Sequence, residues 1–175
     1  MNIKLGVFIS SIATLSACAN LPQEKPVVHI TVATFDKSTT EKLVAEGKNT
    51  IKGSALIRQQ GGGVVTCAGQ KIMLTPATEY SSERISTIYG NKERGFISAR
   101  TPPIYFQPNV PEYFELSRTT ICDAQGYFKF EKVADGDFFV TGAIIWMVGY
   151  SKSGGNLMQR VSVSKGELKE IVLSP

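Results

Sequence analysis

The chain has 175 residues, of which 42% are hydrophobic and 19% are charged, and its formal net charge is +4. This length suits one domain with a packed core. The basic residues are scattered rather than grouped in an arm, and zinc-finger spacing and RNA-binding aromatic motifs are missing. These features exclude nucleic acid as an expected partner.

The first element is a short apolar segment with the features of an export signal. Lys4 supplies a positive charge, and residues 5–13 are almost wholly apolar or small. The run is too short to cross a bilayer, which needs about 20 apolar residues. Leu15-Ser16-Ala17-Cys18 follows it, and these residues resemble the lipobox of bacterial lipoproteins.

The lipobox resemblance implies a mature protein that begins at Cys18 and carries lipid on that cysteine. Residues 1–17 would be the signal peptide, and residues 18–26, which are polar and contain two prolines, would be a lipid-anchored tether. The inner-membrane retention signal of that family, an aspartate directly after the cysteine, is absent. The resemblance therefore predicts attachment to the bacterial outer membrane. An ordinary signal peptide with a chance cysteine is the alternative.

Residues 27–175 are predicted to form a single domain built mainly from short β-strands. Runs of β-branched and apolar residues, alternating patterns and turn signals favour these strands. The longest apolar stretch among them, residues 142–149, is far too short to span a membrane. The predicted strands cover residues 27–35, 51–58, 64–66, 71–76, 117–122, 127–131, 138–148, 157–164 and 168–173.

Other segments interrupt the strand pattern. Residues 39–45 could start a short helix, and residues 151–155 are predicted to be a flexible hairpin loop. Residues 79–118 are predicted to be a long insertion into the domain. Within it, residues 79–89 have apolar side chains at helical spacing. Residues 101–114 hold four prolines, a density that excludes a central strand.

The insertion also contains four aromatic residues that form a candidate contact site for a partner. Aromatic rings on a backbone stiffened by proline would offer an apolar surface at low entropic cost. The alternative is that the rings pack onto the sandwich and cover its open edge. The four residues are Tyr105, Phe106, Tyr113 and Phe114.

Two further cysteines, Cys67 and Cys122, form an even pair in a chain that bears an export signal. A disulfide between them is the expected state in an oxidising compartment. It would close a loop of roughly 55 residues, which is worth about 4 kcal/mol in the chain-entropy model. Two buried free thiols or a metal pair are the alternatives. A metal site needs further ligands, and the only histidine, His29, lies near the tether.

The sequence lacks the residue sets that common hydrolytic sites need. With a single histidine, a two-histidine zinc site cannot form within one chain, and a serine triad has no evident base. Ser162-Val163-Ser164-Lys165 has the serine-x-x-lysine spelling of penicillin-recognising enzymes, but that motif needs a helix and this segment alternates as a strand. We therefore expect no cofactor, no metal and no enzymatic activity, and His29 is predicted to be solvated.

Five segments of the predicted domain follow the order of a known family pattern. They are Gly53-Ser54-Ala55, residues 71–76, residues 120–130, residues 133–140 and residues 161–166. The stretch from Cys122 to Val140 is the specific part, because an aspartate and glycines set its turns while Phe128 and Phe130 share one side of a strand. The pattern resembles the carboxypeptidase regulatory-like domain, a transthyretin-like (prealbumin-like) sandwich.

This second resemblance implies a mainly β fold, namely a seven-stranded antiparallel Greek-key β-sandwich. The insertion at residues 79–118, where the family has a short link, would be a long loop able to hold a short helix. The resemblance also supports a disulfide between Cys67 and Cys122, because some bacterial envelope members carry one cysteine at each of these places. The family's domain is not itself an enzyme, because the zinc ligands of the carboxypeptidases lie in another domain.

Together these features predict a non-catalytic lipoprotein of the bacterial outer membrane that acts as a recognition or assembly module. Its expected partners are the membrane, through lipid on Cys18, and a protein or a glycan. An accessory component of a secretion or envelope machine is the alternative function. An envelope hydrolase is the least favoured of the three.

Overall fold

The computed structural model describes residues 27–31 and 33–175. The predicted signal peptide (1–17), the lipidation site Cys18 and the predicted tether (18–26) lie outside the described residues. In the part of the chain that is described, no helix is both long enough and apolar enough to cross a membrane.

Strands dominate the described chain, and three short helices lie among them. The elements are β1 (Val27–Ile30), α1 (Lys37–Val44), β2 (Asn49–Arg58), β3 (Val64–Thr66), β4 (Lys71–Pro76), α2 (Glu79–Tyr89), β5 (Arg94–Ser98), β6 (Ile104–Gln107), α3 (Glu112–Glu115), β7 (Arg118–Ile121), β8 (Tyr127–Val133), β9 (Gly136–Val148), β10 (Ser151–Val163) and β11 (Leu168–Leu173).

The strands form two main sheets around one core, which confirms the predicted β-sandwich. The larger sheet has the order β5-β10-β9-β4-β7, and all of its neighbours are antiparallel. In the smaller sheet β2 pairs in parallel with β11, and it pairs antiparallel with β8 and β3. The strands outnumber the predicted seven, and the parallel pairing of β2 with β11 differs from the predicted antiparallel arrangement. The insertion contributes β5 and β6, and β6 forms a separate parallel pair with β1.

The core lies between the two sheets and follows the alternation of the strands. Along β2 every second residue up to Ile57 is buried, because successive side chains of a strand point to opposite faces. Phe128 and Phe130 on β8 are buried as the alternation indicates, with ring centroids 6.2 Å apart. From the larger sheet, Leu74 and Val140 pack into the same cluster.

The Cys67–Cys122 disulfide is present and joins two loops that cross between the sheets. Cys67 lies between β3 of the smaller sheet and β4 of the larger sheet, and Cys122 lies between β7 of the larger sheet and β8 of the smaller sheet. Both residues are buried, and their Cα atoms are 5.7 Å apart. The bond therefore fastens the two sheets to each other at one end of the sandwich, and it excludes the free-thiol and metal alternatives.

The insertion folds onto the larger sheet. Helix α2 begins after Thr78, whose side chain accepts a hydrogen bond from the Ser81 backbone N–H, and it ends at Gly90, which has a left-handed φ of 66°. The helix covers the segment, residues 79–89, in which the apolar side chains have helical spacing. Ile85 of α2 packs against Phe139 and Met158 of β9 and β10, and β5 pairs with the edge of β10. The insertion thus covers both a face and an edge of this sheet.

The prediction of a flexible loop at residues 151–155 is wrong. These residues belong to β10, which pairs with β9 without interruption from Ser151 to Val163. The glycines in this segment serve close packing rather than flexibility, because a Cβ at Gly155 would lie 2.1 Å from the carbonyl oxygen of Ile97 on β5. The hairpin turns instead at Gly149, which has a φ of 58°.

The start of the domain also differs from the sequence prediction. Strand β1 ends at Ile30 rather than at residue 35, and Val32 lies outside the described residues. The chain then enters α1, which begins two residues before the predicted start. Asp36 caps this helix, because its carboxylate accepts a hydrogen bond of 3.0 Å from the backbone N–H of Thr39.

Replacing both cysteines, Cys67→Ala together with Cys122→Ala, is expected to lower the free energy of unfolding by about 4 kcal/mol. The two residues are 55 positions apart, and without the bond the unfolded chain is no longer restricted by a closed loop between them. Urea unfolding measures this loss. Reduction of the natural chain should lower its midpoint similarly, and the double variant, which has no bond to reduce, is the control for the reductant. Equal midpoints for the oxidised and reduced chain would contradict the prediction.

Candidate functional site

A groove of about 470 Å³ runs across residues of β2, β7, β8 and β11. Its volume lies within the range of small-molecule sites, roughly 300 to 1,000 Å³. One part of its lining is apolar and the other part is charged. The lining residues are Lys52, Gly53, Thr120, Ile121, Asp123, Tyr127, Phe128, Lys129 and Glu170.

Tyr127 supplies the aromatic surface of this groove. It is the first residue of β8, and 57% of its surface is exposed, whereas its neighbour Phe128 points into the core and is buried. Ile121, at the end of β7, adds a second exposed apolar side chain. An exposed ring that is flanked by apolar and polar groups can stack against the apolar face of a ligand.

The tight turn between β7 and β8 holds Tyr127 in place. Asp123 Oδ1 accepts hydrogen bonds from the backbone N–H groups of Gln125, at 2.9 Å, and Tyr127, at 2.8 Å. The Asp123 N–H in turn donates to the Tyr127 carbonyl at 2.9 Å. Gly126 has a φ of 87°, and a Cβ there would lie 2.6 Å from Cβ of Thr66. The turn therefore needs both the aspartate and the glycine.

The charged part of the groove is a row of side chains across three strands. Glu170 of β11 lies opposite Lys52 of β2, and Lys52 lies opposite Lys129 of β8. Lys52 Nζ is 3.1 Å from a Glu170 carboxylate oxygen. Lys129 pairs with Glu131, and its ammonium holds the pKa of that carboxyl below its usual range, first through a hydrogen bond and then through charge attraction. The row offers both donors and acceptors to a ligand.

Sequence reasoning placed the turn and the strand correctly but missed the groove. The signal for it was Asp123-Ala124-Gln125-Gly126, a turn that places Tyr127 directly at a strand start. The alternation of β8 assigns Phe128 and Phe130 to the core, and it therefore assigns Tyr127 and Lys129 to the outer face. The contributions of Lys52 and Glu170 depend on the pairing of distant strands, which the local pattern does not contain.

The four predicted contact aromatics divide into two pairs in the structure. Phe106 and Tyr113 are only 6% exposed, so the prediction that they present a surface to a partner is wrong. Their packing inward corresponds to the alternative reading of the insertion. Tyr105 and Phe114 are about half exposed, and a partner contact at these two residues stays a prediction.

Arg84 of α2 lies among aromatic rings of the insertion. Its guanidinium carbon lies 4.1 Å from the ring centroid of Phe106, 4.6 Å from that of Tyr113 and 5.4 Å from that of Phe114. Its Nη1 donates a hydrogen bond of 3.2 Å to the Tyr80 hydroxyl. A buried cation surrounded by ring faces is stabilised by their quadrupoles. We call these five residues the Arg84 cluster; it joins α2, β6 and α3.

His29 is not the solvated side chain that the sequence predicted. It lies on β1, and its Nε2 is 2.8 Å from Oε1 of Glu83 on α2. Its ring packs edge-on against Phe106 at 5.5 Å. The second carboxylate oxygen of Glu83 accepts a hydrogen bond from the backbone N–H of Ala33 at 2.8 Å. Helix α2 thus fastens the first described strand to the domain.

The serine-x-x-lysine segment has the extended geometry that the sequence predicted. Ser162 lies on β10 and donates a hydrogen bond to Asp137, while Lys165 lies in the following turn with a φ of 60°. The hydrogen bond from Ser162, followed by that from Arg160, holds the pKa of Asp137 below its usual range. Within residues 27–31 and 33–175, no group of three or more His, Cys, Asp or Glu residues could hold a metal ion.

Comparison with known proteins identifies the fold but not a family. No protein-family model matches the chain, and no curated protein matches it. A crystal structure of a "putative carbohydrate binding protein" from Pseudomonas aeruginosa is similar, with 21% sequence identity and a TM-score of 0.67. The match covers 82% of this chain and 99% of that chain. At this identity the likeness establishes a shared β-sandwich fold.

The variant Asp123→Ala is expected to lower the free energy of unfolding by roughly 1 to 2 kcal/mol, because the N–H groups of Gln125 and Tyr127 lose their acceptor. Urea unfolding checks this. Asp123→Asn, which keeps a carbonyl oxygen in the same place, is the matched control and should lose less. Equal losses for the two variants would show that the turn does not depend on this acceptor.

Proposed function

We propose that this chain is a non-catalytic envelope protein that binds a glycan in the groove at Tyr127. The observation that carries the proposal is the exposed Tyr127 ring, which lies among lysine and carboxylate side chains in one groove. A sugar ring has an apolar C–H face and a rim of hydroxyl groups. The aromatic ring suits the first, and the charged side chains suit the second as donors and acceptors.

The charge of the groove favours a neutral glycan over an ionic one. Lys52 and Lys129 are matched in the lining by Asp123 and Glu170, although the whole chain has a net charge of +4. A ligand held by hydrogen bonds and stacking in such a groove gains little from long-range attraction. Its affinity should therefore change little with ionic strength.

The comparison supports the glycan as the ligand class. The similar structure from Pseudomonas aeruginosa bears the name of a "putative carbohydrate binding protein" and shares the sandwich over 82% of this chain. The proposal adds to this likeness a site whose residues can be tested in this chain.

The proposed location is the outer membrane, with lipid on Cys18, and it rests on the lipobox resemblance. Two or more acyl chains suffice for stable attachment. The disulfide between Cys67 and Cys122 supports export, because such bonds persist in oxidising compartments. Membership of the carboxypeptidase regulatory-like family likewise stays a proposal. It is supported by the buried pair Phe128 and Phe130 and by the turn at Asp123.

A second candidate function is an accessory role in an envelope machine. The exposed rings of Tyr105 and Phe114 favour it, because exposed aromatic residues are common in protein interfaces. Cross-linking in intact cells distinguishes the two functions. A machine component is captured with fixed partners through Tyr105 or Phe114, whereas a free-standing glycan-binding module is not.

The variant Tyr127→Ala is expected to weaken glycan binding about tenfold, which corresponds to about 1.4 kcal/mol of lost stacking. A glycan array with the natural chain identifies the ligand, and calorimetry then compares the variants. Tyr150→Ala is the matched control, because Tyr150 is also exposed but lies at the β9–β10 turn, outside the groove lining. Absence of any bound glycan, or equal affinity for both variants, would contradict the proposal.

The variant Cys18→Ser is expected to abolish incorporation of a radiolabelled fatty acid during growth and to release the protein from the outer-membrane fraction. The reason is that the acylated thiol is absent. Cys67 and Cys122 are joined to each other and cannot substitute for it. Labelling of the natural chain is the positive control. Unchanged labelling and fractionation of the variant would overturn the proposed anchor.

A further inference from the structure

The hairpin of β9 and β10 extends beyond the rest of the larger sheet. Residues 138–142 of β9 pair with β4, and residues 155–159 of β10 pair with β5. Beyond these, residues 144–148 pair with residues 151–155 across the hairpin. In the described part of the chain no third strand pairs with β9 beyond residue 142, so the end of the hairpin is a two-stranded ribbon.

The end of this ribbon is apolar on its surface. Met147 is 58% exposed, Val148 is 59% exposed, and Tyr150 is fully exposed at the turn. Ile145 continues the exposed apolar surface on the same face as Met147. Large apolar residues that are grouped at a protruding tip mark an interaction surface rather than a part of the core.

The charged residues of the hairpin beyond Asp137 are all basic. Between Asp137 and Glu167 the sequence has no acidic residue, and Lys152 follows the turn directly. Arg100, from the segment after β5, lies beside the ribbon, where its Nε donates a hydrogen bond of 2.9 Å to the Lys152 carbonyl oxygen. Apolar and tyrosine side chains next to basic residues suit the boundary between acyl chains and anionic headgroups.

The first described residues lie at the same end of the domain as this ribbon. Val27 pairs with Ile104, only four residues after Arg100. Strands β1 and β6 are parallel, so β1 begins at the end of this pair that is nearer to Arg100. About nine residues separate Cys18 from Val27, and a fully extended chain of that length reaches about 30 Å. A lipid on Cys18 would therefore hold this end of the domain near the bilayer.

We propose that the tip of the β9–β10 hairpin is a second membrane contact, which inserts Met147, Val148 and Tyr150 into the surface of an anionic bilayer. This inference rests on the lipid anchor of the proposed function for its orientation, but not on glycan binding. With two contacts, the domain is held at a fixed orientation on the membrane. With the lipid alone, no second contact sets that orientation.

A tryptophan at the turn makes the contact measurable. Trp146 is the only tryptophan of the chain, but it lies on the opposite face of β9 from Met147 and packs against the core. The reporter chain therefore carries Trp146→Phe together with Tyr150→Trp. The full lipidated protein is reconstituted into phosphatidylcholine–phosphatidylglycerol vesicles in which the phosphatidylcholine is brominated on its acyl chains. Bromine quenches tryptophan fluorescence only at short range. We expect quenching of the tryptophan at position 150 in the reporter chain, and loss of most of that quenching when Met147→Asp or Val148→Asp is added to it.

Leu168→Asp, added to the same reporter chain, is the matched control and should leave the quenching unchanged. Leu168 is 60% exposed, similar to Met147, but it follows the turn after Val163, which pairs with Gly136 at the other end of the hairpin. Far-UV circular dichroism verifies that each variant is folded. Val148 is 59% exposed, so Val148→Asp keeps the test valid if Met147→Asp unfolds.

Three results would overturn the inference. They are absence of quenching in the anchored reporter chain, equal quenching in the tip variants, and cross-linking of the tip to a protein without quenching. Mass spectrometry shows separately whether the chain carries lipid. If it does not, each unlipidated variant is added to the same vesicles and the quenching is compared there. Failure of glycan binding leaves this test unaffected, because Tyr127 is not varied.

Discussion

The disulfide between Cys67 and Cys122 is the constraint on which both the sandwich and its groove depend. Each cysteine lies where the chain leaves one sheet for the other, and backbone hydrogen bonds between Cys122 and residues 69 and 70 run beside the bond. The next residue, Asp123, begins the turn whose hydrogen bonds fix the backbone of Tyr127. The same covalent link therefore closes the end of the core and positions the exposed ring.

The insertion fixes the first described strand, β1, to the domain. The Arg84 cluster joins α2, β6 and α3. In it, the buried guanidinium group packs against aromatic rings. The same helix binds β1 through Glu83 and His29. Because the first described strand is fixed in this way, the expected lipid anchor would be joined to a rigid body. The groove at Tyr127, which lies on β2, β7, β8 and β11, is built from none of these residues.

Much of the fold could be predicted from local patterns, because alternation and turn residues report directly on strands. The β8 strand, the α2 helix and the disulfide follow from such signals. The errors arose where a residue has two physical roles. Glycines at 154 and 155 have the composition of a loop but allow β5 and β9 to approach β10 closely. The buried position of Phe106 depends on Arg84, and the groove on Lys52 and Glu170; these contacts join segments that are distant in sequence.

The central claim is that the turn tied by the disulfide presents Tyr127 to a glycan. The most direct measurement is a backbone amide NMR titration of the protein with a glycan that the array identifies. The account predicts shifts concentrated at the groove residues of β7, β8, β2 and β11, above all at Tyr127 and Lys129. Shifts concentrated at the β9–β10 tip or at Tyr105 and Phe114, with the groove unchanged, would contradict it.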